Sequence, residues 1–213
     1  MSKKLLVVAC GILAAAVMVT GLGVRADEFE GSNIRLDALV SPEVADQLME
    51  VLARDYFPHY AVHTPLQAKE ELIEKYRQKA KGERHKHPVY AAMIESVDQS
   101  VGRILAKLEE LGLADNTALI FTSDNGGTPR GVNAPLRGFK GSTLEGGMRE
   151  PTIAWWPGRI SPGQVENRLC SSMDLLPTIA GFAGCSLPQD RVYDGIDIGP
   201  ILSGDKTAKG HDS

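Results

Sequence analysis

Leu119-Ile120-Phe121-Thr122-Ser123-Asp124-Asn125-Gly126-Gly127 is an apolar run that breaks into a carboxylate, an amide and paired glycines. A second apolar run, Thr152-Ile153-Ala154-Trp155-Trp156, ends at Pro157. Between them lie Pro135-Leu136-Arg137-Gly138-Phe139-Lys140-Gly141 and Glu145-Gly146-Gly147-Met148-Arg149-Glu150-Pro151. Two buried strands thus bracket a glycine-rich loop bearing a carboxylate, an amide, a lysine and an arginine. That is the layout of an active-site wall in an α/β protein, where ligands gather beyond the carboxyl ends of parallel strands. Residue types alone leave a second reading equally open, because Asn-Gly is also the strongest short hairpin signal.

The chain on either side supports an α/β class: a layered fold with a mostly parallel sheet flanked by helices. Upstream, Val89, Met93, Val97, Val101, Ile104, Leu105, Leu108 and Leu111 recur at three- and four-residue steps after Pro88, with Gly112 just past the end. This predicts a core-facing helix whose wet face carries Glu95, Asp98 and Gln99. Its passage into the strand Thr117–Thr122 is the helix-into-buried-strand pattern of α/β proteins. A shorter amphipathic helix is expected from Ala68 to Lys81, preceded by a strand at Tyr60-Ala61-Val62. A strand is expected over Asn33–Val40, with a helix opening at Ser41-Pro42. Downstream, Pro157-Gly158-Arg159 and Ser161-Pro162-Gly163 read as turns, and Ser172–Ala183 as a helix.

Lys3-Lys4 before the apolar run from Leu5 to about Val19, then Val24-Arg25-Ala26, reads as a secretory signal peptide over residues 1–26. The run is shorter than the roughly 20 apolar residues of a span, so no stable membrane span is expected after cleavage; an uncleaved anchor is the alternative. Residues 27–58 stay unassigned, and 205–213 form a polar tail. The 213 residues, 43% hydrophobic and 23% charged, provide for a real core. A net charge of −4 without a clustered basic surface argues against a nucleic-acid partner. The two cysteines outside the signal peptide, Cys170 and Cys185, flank a helix that would hold them about 15–18 Å apart, so two separate thiols are expected.

Several of these stretches, together and in order, resemble the sulfatase family of the alkaline-phosphatase-like superfamily. They are Tyr60-Ala61-Val62-His63-Thr64-Pro65, Tyr90-Ala91-Ala92-Met93-Ile94-Glu95-Ser96-Val97-Asp98, and Thr122-Ser123-Asp124-Asn125-Gly126-Gly127. Leu136-Arg137-Gly138 with Lys140-Gly141, Glu145-Gly146-Gly147 with Arg149-Glu150-Pro151, Trp156-Pro157-Gly158 and Asp194-Gly195-Ile196-Asp197 continue the match. The resemblance covers residues 59–204 and corresponds to the second half of the family's catalytic domain. It implies that Asp124 and Asn125 are oxygen ligands of a divalent cation, usually Ca²⁺, a hard ion that takes carboxylate and amide oxygens. Gly126 and Gly127 would turn the backbone away from the metal. Lys140 would point its ammonium at the sulfate group, and His63 would contact the sulfate or the leaving oxygen from the opposite side. Arg149 and Glu150 are read as structural, an ion pair or turn anchor behind the site.

The family's nucleophile is a formylglycine made from a Cys/Ser-x-Pro/Ala-x-Arg motif. Neither Cys10, Cys170 nor Cys185 begins such a motif, and no serine does, so formylglycine cannot arise from this sequence. The metal-binding Asp-Asp pair is also missing, since Asp37 is followed by Ala38-Leu39. The expectation is a sulfuric ester hydrolase relative that is exported, binds Ca²⁺ weakly or not at all, and does not turn over by itself. Its family partner would be a sulfated small molecule or glycan. The alternative is an exported non-catalytic binding or interaction module on the same scaffold.

Overall fold

The computed structural model describes residues 59, 61–82 and 86–211, together with two short strands near the N-terminus. Those strands, β1 (Leu5–Leu6) and β2 (Met18–Val19), pair antiparallel. The rest of the expected signal peptide, and the strand and helix expected over 33–58, lie outside the described residues. So does Tyr60. The expected strand at Tyr60-Ala61-Val62 does not form at its two described positions, where Ala61 and Val62 make a turn.

Helix α1, Glu70–Gln78, and the long helix α2, Pro88–Glu110, pack as a pair. Leu72 and Ile73 of α1 meet Ala92 of α2 in a small apolar cluster with Ala68, Tyr76 and Val89. Charge fixes the pair at its rim: Lys75 Nζ donates to Glu95 Oε1 at 2.7 Å, so this member of the expected wet face is largely covered. Pro88 sits in the first turn of α2, where its missing N–H costs nothing. His87 caps it, with Nδ1 accepting from the Tyr90 N–H at 3.2 Å. Gly112, at φ +64°, ends it in the left-handed conformation that glycine adopts without steric penalty.

Strands β3 (Leu119–Phe121) and β4 (Ile153–Trp155) form the second pair, with Leu119 opposite Trp155 and Phe121 opposite Ile153. They run antiparallel, so the described residues show a small antiparallel pair within a mixed α/β architecture. Residues 122–152 fold back at the edge where β3 ends, through a loop holding one short helix, α3 (Glu145–Met148), and do not cross the sheet. The carboxyl end of β3 and the start of β4 therefore share one edge. A hydroxyl pair, Thr122 to Thr152 at 2.9 Å, extends the contact past the last paired residues.

Behind the strands lies the main core: Ala118, Ile120, Trp156 and Ile179, with Leu175, Phe182 and Leu202 packed around them. Trp156 meets the Phe182 ring edge-on at 5.1 Å and donates its indole N–H to the Asp115 carbonyl at 3.0 Å. Ile179 and Phe182 come from α4, Leu175–Ala183, which follows a single 3₁₀ turn at Ser172–Asp174. Ser171 and Asp174 form a capping box, with each side chain bonded to the other's backbone N–H or to the turn between them. The last helix, α5 (Gly199–Leu202), packs on α4. Cys170 and Cys185 are both free and exposed. Among the described residues no helix is long and apolar enough to cross a membrane.

Candidate active-site wall

Loop 122–152 folds back on itself at the shared edge of β3 and β4. The Gly126 N–H donates to Gly147 O at 3.0 Å, Gly146 N–H to Arg137 O at 2.7 Å, and Lys140 N–H to Gly127 O at 2.9 Å. The glycines serve close approach. A β-carbon on Gly126 would stand 2.0 Å from Gly146 O, and one on Gly146 would stand 2.2 Å from Gly138 O. Neither Gly126 nor Gly127 has a positive φ, and what the missing β-carbon provides at Gly126 is room for the backbone crossing.

The loop forms one wall of a cleft of about 490 Å³. His63, Asp124, Asn125 and Lys140 all line it, facing an apolar side made by Tyr90, Ile94, Val97 and Phe121. The four residues singled out in the sequence are thus brought together, although 77 positions separate the first from the last (140 − 63). His63 Nδ1 lies 2.7 Å from the Thr64 carbonyl, which makes that nitrogen the proton donor. In the neutral ring Nε2 is then an acceptor. Asn125 donates its amide N–H to the Asp124 carboxylate. Lys140 is exposed at the mouth.

Two residues in the wall take places that the sequence reading does not assign them. Glu150 does not pair with Arg149, which reaches Glu145 instead at 3.3 Å. Both Glu150 carboxylate oxygens are buried with no hydrogen-bond partner among the described residues. Burial, together with the nearby Asp124 charge, pushes its pKa up to about 7. Its position before Pro151 signals an extended backbone and nothing about burial. The other is Asn133, whose side-chain amide lies against three backbone carbonyls. An asparagine in a Gly/Pro-rich loop reads simply as a turn former.

As a cation site the wall is right in kind and short in number. Asp124 and Asn125 offer the hard oxygens that Ca²⁺ prefers, but the ion takes six to eight ligands. Among the described residues no three acidic, histidine or cysteine side chains converge to hold a metal. The donor set present among the described residues does not complete a calcium shell.

A sequence model of the sulfatase family matches residues 36–185. Rat N-acetylgalactosamine-6-sulfatase is 48% identical over 119 residues, covering 53% of this chain and 23% of that protein. Human arylsulfatase A is 39% identical over 156 residues, covering 71% of this chain and 29% of the relative. Among solved structures, Ps i-CgsB in complex with k-i-k-neocarrahexaose matches with a TM-score of 0.65 at 34% identity, covering 73% of this chain and 34% of its own. The PsFucS1 sulfatase from Pseudoalteromonas sp. gives 0.62 at 35% identity, over 74% and 32%. The fold and the ordered loop motifs define an alkaline-phosphatase-like hydrolase scaffold. The chain belongs to the sulfatase family. It spans about a quarter of the length of the curated relatives it matches, and about a third of the solved ones.

Proposed function

We propose that this chain carries the sulfate-facing wall of a sulfuric ester hydrolase site, formed by residues 59–204, and that it does not turn over by itself. The carrying observation is that His63, Asp124, Asn125 and Lys140 line a single cleft. In this reading Asp124 and Asn125 are cation ligands, while Lys140 and His63 contact the sulfate group. The exposed ammonium of Lys140 supplies a point charge to a sulfate ester. The relative solved with a neocarrahexaose supports a sulfated glycan as the substrate class. The basic, then apolar N-terminus supports export.

Catalysis in this reading stops at electrostatic assistance. Oriented charges at the sulfate lower the barrier only when a nucleophile attacks, and no formylglycine motif is present to provide one. Calcium affinity drops as ligands and their charge are removed, so two ligating side chains predict a dissociation constant weaker than about 1 mM. Isothermal titration calorimetry of the purified chain checks this: no saturable heat is expected at micromolar Ca²⁺, and tight stoichiometric binding overturns the half-site reading.

A further inference from the structure

Asn133 has no place in the chemistry above, yet its side chain sits where three separate backbone strands of the loop meet. Its Nδ2 lies 3.1 Å from Gly127 O, 3.0 Å from Gly138 O and 2.6 Å from Gly146 O. An amide nitrogen has two hydrogens, so one is shared between two of the three carbonyls. On the other side of the side chain, a β-carbon on Gly127 would stand 2.5 Å from Asn133 Oδ1, so the amide is packed flat against the loop. Gly127 follows the Asp124-Asn125 pair closely, and its carbonyl also receives the Lys140 N–H at 2.9 Å. Gly138 lies two residues before Lys140.

We infer that Asn133 is the positioning residue of this site, donating to Gly127, Gly138 and Gly146 so that Lys140 is held at a fixed separation from Asp124 and Asn125. Its functional part rests on the reading of Lys140 as a sulfate contact; its geometric part does not. A side chain of the same shape without N–H donors, as in Asn133→Asp, keeps the packing and removes the clamp. It also sets a carboxylate against three carbonyl oxygens. Lys140 then loses its register with Asp124 and Asn125 while the helices behind the sheet are untouched.

The test uses the full chain, Asn133→Asp and Asn133→Ala, with two readouts. Amide hydrogen exchange should accelerate about tenfold or more at Gly126, Lys140 and Gly146, with α2 and α4 amides within twofold of the unmodified chain. Uniform acceleration, or none, overturns the inference. If both variants fail to fold, the unmodified chain decides: the Asn133 side-chain amide protons should exchange about tenfold slower than those of exposed Asn167, and equal rates overturn the clamp. Inorganic sulfate, followed through the Lys140 side-chain resonances, separates the two readings. Binding by the unmodified chain that weakens about tenfold in Asn133→Asp supports both. Equal binding in both proteins overturns the positioning role. No response in the unmodified chain overturns the proposed function, and Asn133 is then judged on the exchange pattern.

Discussion

At Gly126 a β-carbon would stand 2.0 Å from Gly146 O, and the obstructing atom is backbone that cannot rotate away. Gly126→Ala is therefore expected to destabilise the chain by about 3 kcal/mol or more, or to prevent folding, because the loop crossing must open to admit the methyl. Chemical denaturation monitored by circular dichroism checks this. Gly102 is the contrast, exposed within α2, where an added β-carbon would meet nothing within 4 Å. Gly102→Ala should stabilise by about 0.5–1 kcal/mol through helix propensity alone. Glu150 tests burial in another way. Its folded pKa of about 7 is raised above the ordinary value of 4.5, so the folded state holds the proton more tightly. Stability should then fall as pH rises through that window and level off above it. Relative to the unmodified chain, Glu150→Gln should flatten this slope, and the gap should be about 1–2 kcal/mol after solvent screening is allowed for. Urea denaturation at pH 5 and pH 8 reads it; an unchanged slope counts against an unpaired carboxylate at this position.

At the scale of elements, Asp174 joins three pieces of chain. Fully buried, it accepts from Ser171 N at 2.7 Å, from Ile196 N at 2.9 Å, and lies 2.7 Å from His211 Nε2. It thereby fastens the start of α4, the Asp194-Gly195-Ile196-Asp197 stretch and the C-terminal residues. Asp174→Ala should cost about 3 kcal/mol or more, leaving two backbone donors without partners, and the thermal midpoint measures it. The sequence marks this junction only as a helix start. Long helices were the legible elements: the three- and four-residue rhythm from Val89 to Leu108 is a local property, as are Pro88 at the entry and Gly112 at the exit. The direction of β4 was not legible, because an apolar run such as Ile153-Ala154-Trp155 is the same read up or down. What decides it is the path of residues 122–152 between the strands. The Lys75–Glu95 pair was equally hidden, since which wet-face carboxylate meets a lysine depends on how α1 crosses α2.

Across the whole molecule, the ordered motifs identify a family and one cleft brings His63, Asp124, Asn125 and Lys140 together, while the formylglycine motif has no counterpart in the sequence. His63, Asp124, Asn125 and Lys140 were legible because reactive residue types stand in motifs with fixed neighbours. Asn133 stands in no such motif, and Glu150, although within one, owes its unpaired burial to how the loop folds, which no local pattern shows. We propose that this wall is built for a sulfate ester yet does not hydrolyse one by itself. The direct measurement is hydrolysis of an aryl sulfate by the purified chain with Ca²⁺ present, beside Lys140→Ala. No release above the buffer rate by either protein is predicted. Sustained turnover by the unmodified chain that disappears in Lys140→Ala would overturn this proposal.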